Sequence, residues 1–497
     1  MWSTQIPGIS TAHISIAGAI ICLILLTLQR SLTVRWKGRE RAPSVTHPPK
    51  EKEQKQPKPK PDLPYLLQFP PSRRHVLATL PGFEKVDIQP VAPETLKSQA
   101  LPTVTTPDFD KYGFYTPTGF STQDIKKLGR FPDYAALSGV RDPNPVPENW
   151  DIAKAKFRPY RPFRWGYHQH MALMKYDPDY WVELTSTYHT TMSQRRSLLA
   201  QHGSRIFFCN PCAVHACREL MEMVLSFLVK RYPSHFSLSP SADGLTPNAL
   251  FHNRLLSTTT NLLTTDPLQV LFDNVPEDYA LMLRNESDGL YYLRAAIVCS
   301  SVGWYVAQHR DSPLKAIHAN VPDYESKMAF SMDRWFSRLP TDTPVSRCSW
   351  GLEDWEAFHT SPCPQTGEWT RSAFKGREGE LDMKDIKLRC DAQTLRRLPV
   401  SAAVVFNFKA IFTGLEELRE ERYVPELLGK VLKEGKRELV EYKCEEHVRR
   451  KGVEALEGWA REQREKGWVE EGWEVGTLEE SPFFPGWEGR WRGEQGF

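Results

Sequence analysis

The sequence predicts an α+β domain of mixed helices and antiparallel sheet, preceded by one N-terminal transmembrane helix and a Pro/Lys-rich linker. Three observations carry this expectation. After residue 163, helical and alternating hydrophobic periods are mixed without a regular βαβ order or a Gly-rich phosphate loop, which speaks against a doubly wound sheet. Residues 9–28 (ISTAHISIAGAIICLILLTL) contain no formal charge. Residues 30–61 carry ten Lys/Arg against three Glu, interleaved with Pro.

The apolar run comes first. Twenty residues at ~1.5 Å each span about 30 Å, the thickness of a bilayer core. No Lys or Arg precedes the run, whereas Arg30, Arg35, Lys37, Arg39 and Arg41 follow it. A cleaved signal peptide carries its charge ahead of the apolar stretch. The positive-inside rule therefore predicts a single-pass anchor in the lipid bilayer with the C-terminal domain cytosolic. Nine Cys, an odd number, do not form a disulfide framework and suit a reducing compartment. The Asn285-Glu286-Ser287 sequon offers a check, since its glycosylation would contradict that orientation. A net charge of only +3 excludes a nucleic-acid binder by bulk electrostatics.

Five segments follow: an anchor over 1–29, a basic linker over 30–63, an irregular Pro-rich arm over 64–160, the main domain over 161–426, and a charged helical, then Trp-rich extension over 427–497. In the main domain, apolar spacing predicts helices over 180–201 and 213–232, the latter stopped by Tyr232-Pro233. Asp266 with Pro267 reads as an N-cap and first helical residue. Residues 290–306 read largely as strand and 323–339 as helix. Strands are expected over 386–391 and 402–412, with QTLRRL as a tight helical turn between them.

Several constellations carry chemistry. Cys209, Cys212, Cys217 and His215 approach zinc-ligand spacing, but structural zinc requires a second pair, so buried thiols are the expected reading. Asp108-Phe109-Asp110 is the short DxD motif of sugar-nucleotide enzymes. His318 lies in a short apolar stretch that Val321-Pro322 forces to extend, a suitable place for an axial ligand. Read alone, a histidine of this kind is more often a hydrogen-bonded core or edge residue. Asp391, Gln393, Arg396 and Arg397 form either a structural ion-pair cluster or a site for an anionic group.

Taken in order, one set of motifs resembles the haem-dependent oxidative N-demethylase family, the dimethylamine-monooxygenase-like proteins. The residues are Arg161-Pro162-Phe163, Met171-Ala172-Leu173, Asp177-Pro178-Asp179-Tyr180-Trp181, Asp266-Pro267-Leu268, Pro276-Glu277-Asp278, Gly303-Trp304, Ile317-His318 with Val321-Pro322, Arg347 with Trp350, and the run LRCDAQTLRRLP at 388–399. They cover about half the chain, and QTLRRLP is the most specific. The resemblance implies a PAS-like haem-binding fold and a haem b iron held by His318, with Trp304 beside the cofactor. It implies Asp391 and Gln393 as catalytic residues, and Arg396 and Arg397 as contacts for propionates or a folate carboxylate. It further implies O2, a small methylated amine, electrons from an NAD(P)H-dependent reductase, and release of formaldehyde, which tetrahydrofolate accepts in related systems. Asp391 stands where the family pattern has Glu, one methylene longer, and Ala392 replaces a larger polar residue, so the amine pocket differs here. Two other readings follow from the same features: a non-enzymatic haem or ligand sensor on this fold, and a membrane-anchored glycosyltransferase with a Pro-rich stem.

Overall fold

Two long stretches near residue 400, buried on most of both faces, form the longest strands among the described residues. The structure, a computed structural model, describes residues 64–86, 118–361 except 167, 169, 355 and 357, and 381–496. Its strands are β1 (Met174–Lys175), β2 (Phe207–Cys209), β3 (Phe236–Ser239), β4 (Leu250–Asn253), β5 (Thr258–Asn261), β6 (Asp278–Arg284), β7 (Tyr291–Ile297), β8 (Val345–Glu353), β9 (Lys387–Arg397) and β10 (Val404–Gly414). Its α-helices are α1 (Thr122–Leu128), α2 (Tyr134–Ser138), α3 (Tyr188–His202), α4 (Val214–Arg231), α5 (Pro267–Asn274), α6 (Leu314–Ile317), α7 (Ala329–Arg338), α8 (Val424–Glu434), α9 (Arg437–Lys443), α10 (Glu446–Glu465) and α11 (Trp487–Gln495). Seven strands form one sheet in the order β1-β8-β9-β10-β6-β7-β2, every neighbouring pair antiparallel. Strands β3-β4-β5 make a separate antiparallel meander.

The two faces of the large sheet are covered differently. On the back face, Leu281, Ala295, Ile297 and Val405 pack with the buried stripe of α4 and with α5. Leu220, Val224, Leu225 and Leu228 of α4 are fully buried, each contributing roughly 1.5–3 kcal/mol. Farther along the same face, Trp350, Leu352, Leu388, Cys390 and Ile411 pack with α8 and α10. Trp491 of α11 donates its indole N–H to the Lys156 carbonyl, which ties the Trp-rich tail to the arm. A buried bidentate pair, Arg161 to Glu421 with both bonds at 2.6 Å, ties the start of the main domain to the segment just before α8. On the front face, Leu314 of α6 and Met332 and Phe336 of α7 pack on Met282, Leu293, Leu395 and Phe408. Farther along, Lys443 of α9 reaches over β8 to donate to the Ser349 hydroxyl.

Helix α5 starts as expected: the Asp266 carboxylate accepts the backbone N–H groups of Leu268 and Gln269. Other expectations need correction. The helix expected from residue 180 starts at Tyr188, because Pro178–Tyr180 forms only a short 3-10 turn. The strand expected over 290–306 ends at Ile297. QTLRRL is not a helical turn, since β9 runs straight through it to Arg397, paired on one side with β8 and on the other with β10. Pairing with β10 along the whole run, and with β8 as far as Leu395, outweighs the helical preference of Gln, Leu and Arg. The reversal falls instead on 398–403, where the Glu219 carboxylate of α4 accepts the N–H groups of Val400 and Ser401.

The membrane expectation is also corrected. The span expected over 9–28 lies outside the described residues, and no described helix is long and apolar enough to cross a membrane. The fold class is α+β with antiparallel sheets, and the single-pass placement is not carried forward. The DxD motif at 108–110 likewise lies outside the described residues.

Candidate active-site cavity

Strand alternation builds the site. Arg347, Ser349, Arg389, Asp391 and Gln393 point to the front face, while Cys348, Trp350, Cys390 and Ala392 between them enter the back-face core. A cavity of about 450 Å³ lies over these front-face residues, within the ~300–1,000 Å³ usual for small ligands and cofactors. Leu314, Ile317, Tyr324, Met328, Met332 and Phe336 make one wall apolar. The β8–β9 residues make the other polar.

His318 stands at the C-terminus of α6 and lines the cavity. Its ring stacks on Tyr324 at 4.7 Å and 8°. Its Nδ1 lies 2.8 Å from the Leu314 carbonyl oxygen. A carbonyl only accepts, so Nδ1 carries the proton and the Nε2 lone pair is left for another partner. Burial pulls the His318 pKa down to about 4, opposed by the Leu314 hydrogen bond and assisted by Arg347 and His309. The ring is therefore neutral at pH 7 and fixed in one tautomer, the state a metal ligand requires. His170 is arranged the other way. Its Nδ1 accepts the Ala172 N–H at 2.9 Å, so a neutral His170 carries its proton on Nε2 and serves as a donor in the cavity wall. Trp304 also lines the cavity, edge-on to His309 at 5.8 Å.

At the polar end, Asp391 is held by Arg389, whose Nε donates to Oδ1 at 3.0 Å. Arg389 is itself fixed by donating to the Ser300 carbonyl at 2.7 Å. Ser300 donates its N–H and hydroxyl to Asp278 at 2.7 and 2.6 Å, and Arg195 donates to the other Asp278 oxygen at 2.5 Å. This chain of charges crosses the sheet and sets the position of Asp391. Beside it, the Arg347 Nε and Gln393 Oε1 atoms are buried with no hydrogen-bond partner among the described residues. Burial pulls the Arg347 pKa below its ordinary value.

Of the site residues named from the sequence, His318, Trp304, Asp391 and Gln393 meet in this cavity. Arg396 and Arg397 do not line it. Successive strand residues face opposite sides, so Arg396 lies on the back face with its guanidinium 4.1 Å over Trp181. Arg397, fully buried, donates to the carbonyls of Leu339, Phe336 and Ala402 and to the Tyr291 hydroxyl. Arg397 is thereby taken up by the fold, and Arg396, whose Nε is also buried without a hydrogen-bond partner among the described residues, packs in the back-face core away from the cavity. The cavity cations are Arg164, Arg347, Arg389 and Lys443. Sequence reasoning passed over Arg389, and it used Arg347 only as a family marker. Reading LRCDAQ as strand would have placed Arg389, Asp391 and Gln393 on one face. Elsewhere, the Cys209 and Cys217 sulfurs lie 3.6 Å apart, and no cluster of three or more metal-ligating groups occurs among the described residues.

The donor set fits a haem: a neutral, preset imidazole, an apolar wall, and cations for propionates. Comparison with known families agrees. Residues 172–453, more than half of the chain, match the family described as haem-dependent oxidative N-demethylase, alpha subunit-like, whose name carries haem dependence with it. The matched stretch contains His318, Trp304, Asp391, Gln393 and the whole of β6 to β10. The chain thus belongs to the haem-dependent oxidative N-demethylase alpha-subunit-like family.

Proposed function

We propose that this protein is a haem-dependent monooxygenase that removes an N-methyl group from a small amine as formaldehyde, drawing electrons from a separate NAD(P)H-dependent reductase. The observation that carries the reading is His318: a buried imidazole with Nδ1 committed to the Leu314 carbonyl and Nε2 free to ligate iron from the cavity wall. Arg164, on the same cavity wall, supplies counter-charge to a propionate. When bound, the haem supplies activation of O2, so that the N-methyl group is hydroxylated and collapses to the shorter amine and formaldehyde, with two electrons and two protons reducing the second oxygen atom to water.

The chain's own residues do the rest. The wall around Met328, Met332 and Phe336 excludes water from the methyl group. Asp391, fixed by Arg389, accepts the N–H of a substrate ammonium and orients it. The His170 Nε2–H offers a hydrogen bond inside the cavity.

The test is spectroscopic, then catalytic. Full-length protein made with haem supply is expected to show a Soret band, and His318→Gln is expected to lose or shift it. With a reductase and NAD(P)H, the loaded protein is expected to release formaldehyde from methylated amines. A chain that stays free of haem under these conditions overturns the reading.

A further inference from the structure

The polar end of the cavity bears on which amine enters, an inference that rests on the demethylase reading above. Arg347 and Asp391 lie on the same face of adjacent strands. Arg347 is directly opposite Gln393, and Ser349 is directly opposite Asp391. The acid and the base are therefore diagonal neighbours, a separation of about 7–8 Å that long side chains can bridge. They do not bridge it. Asp391 pairs with Arg389 on its own strand at 3.0 Å. Arg347 forms no ion pair among the described residues, and its Nε is buried without a partner. Next to it the Gln393 Oε1 is also buried without a partner.

The Arg347 Nε has no acceptor, and the Asp391 charge that acts on it is shared with Arg389; a bound anion supplies what is missing. The charge of the wall points the same way. Arg164, Arg347, Arg389 and Lys443 face only Glu353 and Asp391. A bare dialkylammonium ion would enter a region already in cationic excess, beside an acid whose charge Arg389 has taken up.

We propose that the Arg347–Asp391 diagonal binds a zwitterion, so that the substrate class is an N-methylated amino acid rather than a simple methylated amine. The carboxylate pairs with the Arg347 guanidinium and the ammonium N–H is accepted by Asp391. Gln393 between them accepts the second N–H of a mono-N-methylated substrate, or the O–H of a water for which N,N-dimethylglycine leaves room. One carbon between nitrogen and carboxylate, with a charge-assisted hydrogen bond of about 2.7–2.9 Å at each end, spans such a diagonal. This places the N-methyl group away from the polar strands, toward the apolar wall.

The experiment is calorimetric titration of the full-length, haem-loaded protein with N,N-dimethylglycine and with dimethylamine at pH 7. An absorption spectrum of each sample records haem independently. N,N-dimethylglycine is expected to bind at least about tenfold more tightly. Arg347→Gln is expected to bring the two ligands within about twofold of each other while leaving the Soret band unchanged. Arg347→Lys is expected to fall between, because an ammonium keeps the charge without the fork. Asp391→Asn, a second variant in case Arg347→Gln does not fold, is expected to weaken both ligands together. Equal or tighter binding of dimethylamine by the unaltered protein overturns the proposal. So does an Arg347→Gln protein that keeps its selectivity, or one that loses haem, which would put Arg347 on a propionate. A preparation without haem that still prefers N,N-dimethylglycine supports the zwitterion site while overturning the haem reading.

Discussion

Arg347 and Arg397 both stand on the front face of the sheet, one at each end, and they are treated in opposite ways. Arg397 lies where α7 and the β9–β10 turn close over the sheet, and it spends its donors on three carbonyls and a tyrosine hydroxyl. Arg347 lies on the cavity wall, and its buried Nε has no partner among the described residues. Buried polar groups in folded proteins are almost always satisfied. Arg397, fully satisfied, belongs to the fold, whereas Arg347 combines an unpartnered nitrogen with a place on the cavity wall. The closed end should register in stability and the open end in ligand binding.

The largest expected effect breaks the closed end. Arg397→Leu leaves four buried acceptors without their donor, at roughly 1–3 kcal/mol each before relaxation. A loss of at least about 3 kcal/mol is expected in urea unfolding, with ligand affinity per folded molecule unchanged. A loss under about 1 kcal/mol would erase the distinction drawn here.

A smaller effect concerns a buried titratable group away from the cavity. His215 of α4 is pulled down to about 4 by burial, with Arg218 contributing. Its folded pKa lies below the unfolded value near 6.5, so its contribution is complete above pH 6.5 and is lost as pH falls toward 4. Between pH 7 and 5 this amounts to about 2 kcal/mol. His215→Gln is expected to lose that much less stability over the interval, measured by denaturation at each pH. Parallel curves for the two proteins would show that His215 is not buried in solution.

The smallest expected effect is the most diagnostic. Arg347→Leu removes an uncompensated cation from the cavity wall, and replacing buried charge by apolar volume is often neutral or stabilising. Stability of the ligand-free protein is expected within about 1 kcal/mol of the unaltered chain, or above it. A destabilisation matching that of Arg397→Leu would mean that Arg347, too, belongs to the fold.

Some of this was legible in the residues. Asp266-Pro267 announced α5, and the apolar stripe ended by Tyr232-Pro233 announced α4, because caps and helical periods are local. The ordered motifs identified the family for the same reason: they record identity, which needs no geometry. His318 was singled out from its apolar surroundings and the following Val-Pro. The run at 388–399 shows the limit. It marked the family correctly, yet its local preferences suggested a helical turn, and the resemblance that nominated Arg396 and Arg397 carried no information on which face each would take. Only pairing with β8 and β10 made it a strand, and only the strand period sorted its side chains onto two faces.

The sequence by itself determined the mixed helix-and-strand class and the family, and through the family it nominated His318. The tertiary structure decided which charges face the cavity. Arg347 and Asp391 are 44 positions apart in the chain and become diagonal neighbours through the β8–β9 register. Arg396 and Arg397 are adjacent in the chain and end on opposite sides of the sheet. Which polar groups are satisfied is settled by contacts distant in sequence, and no local pattern encodes them.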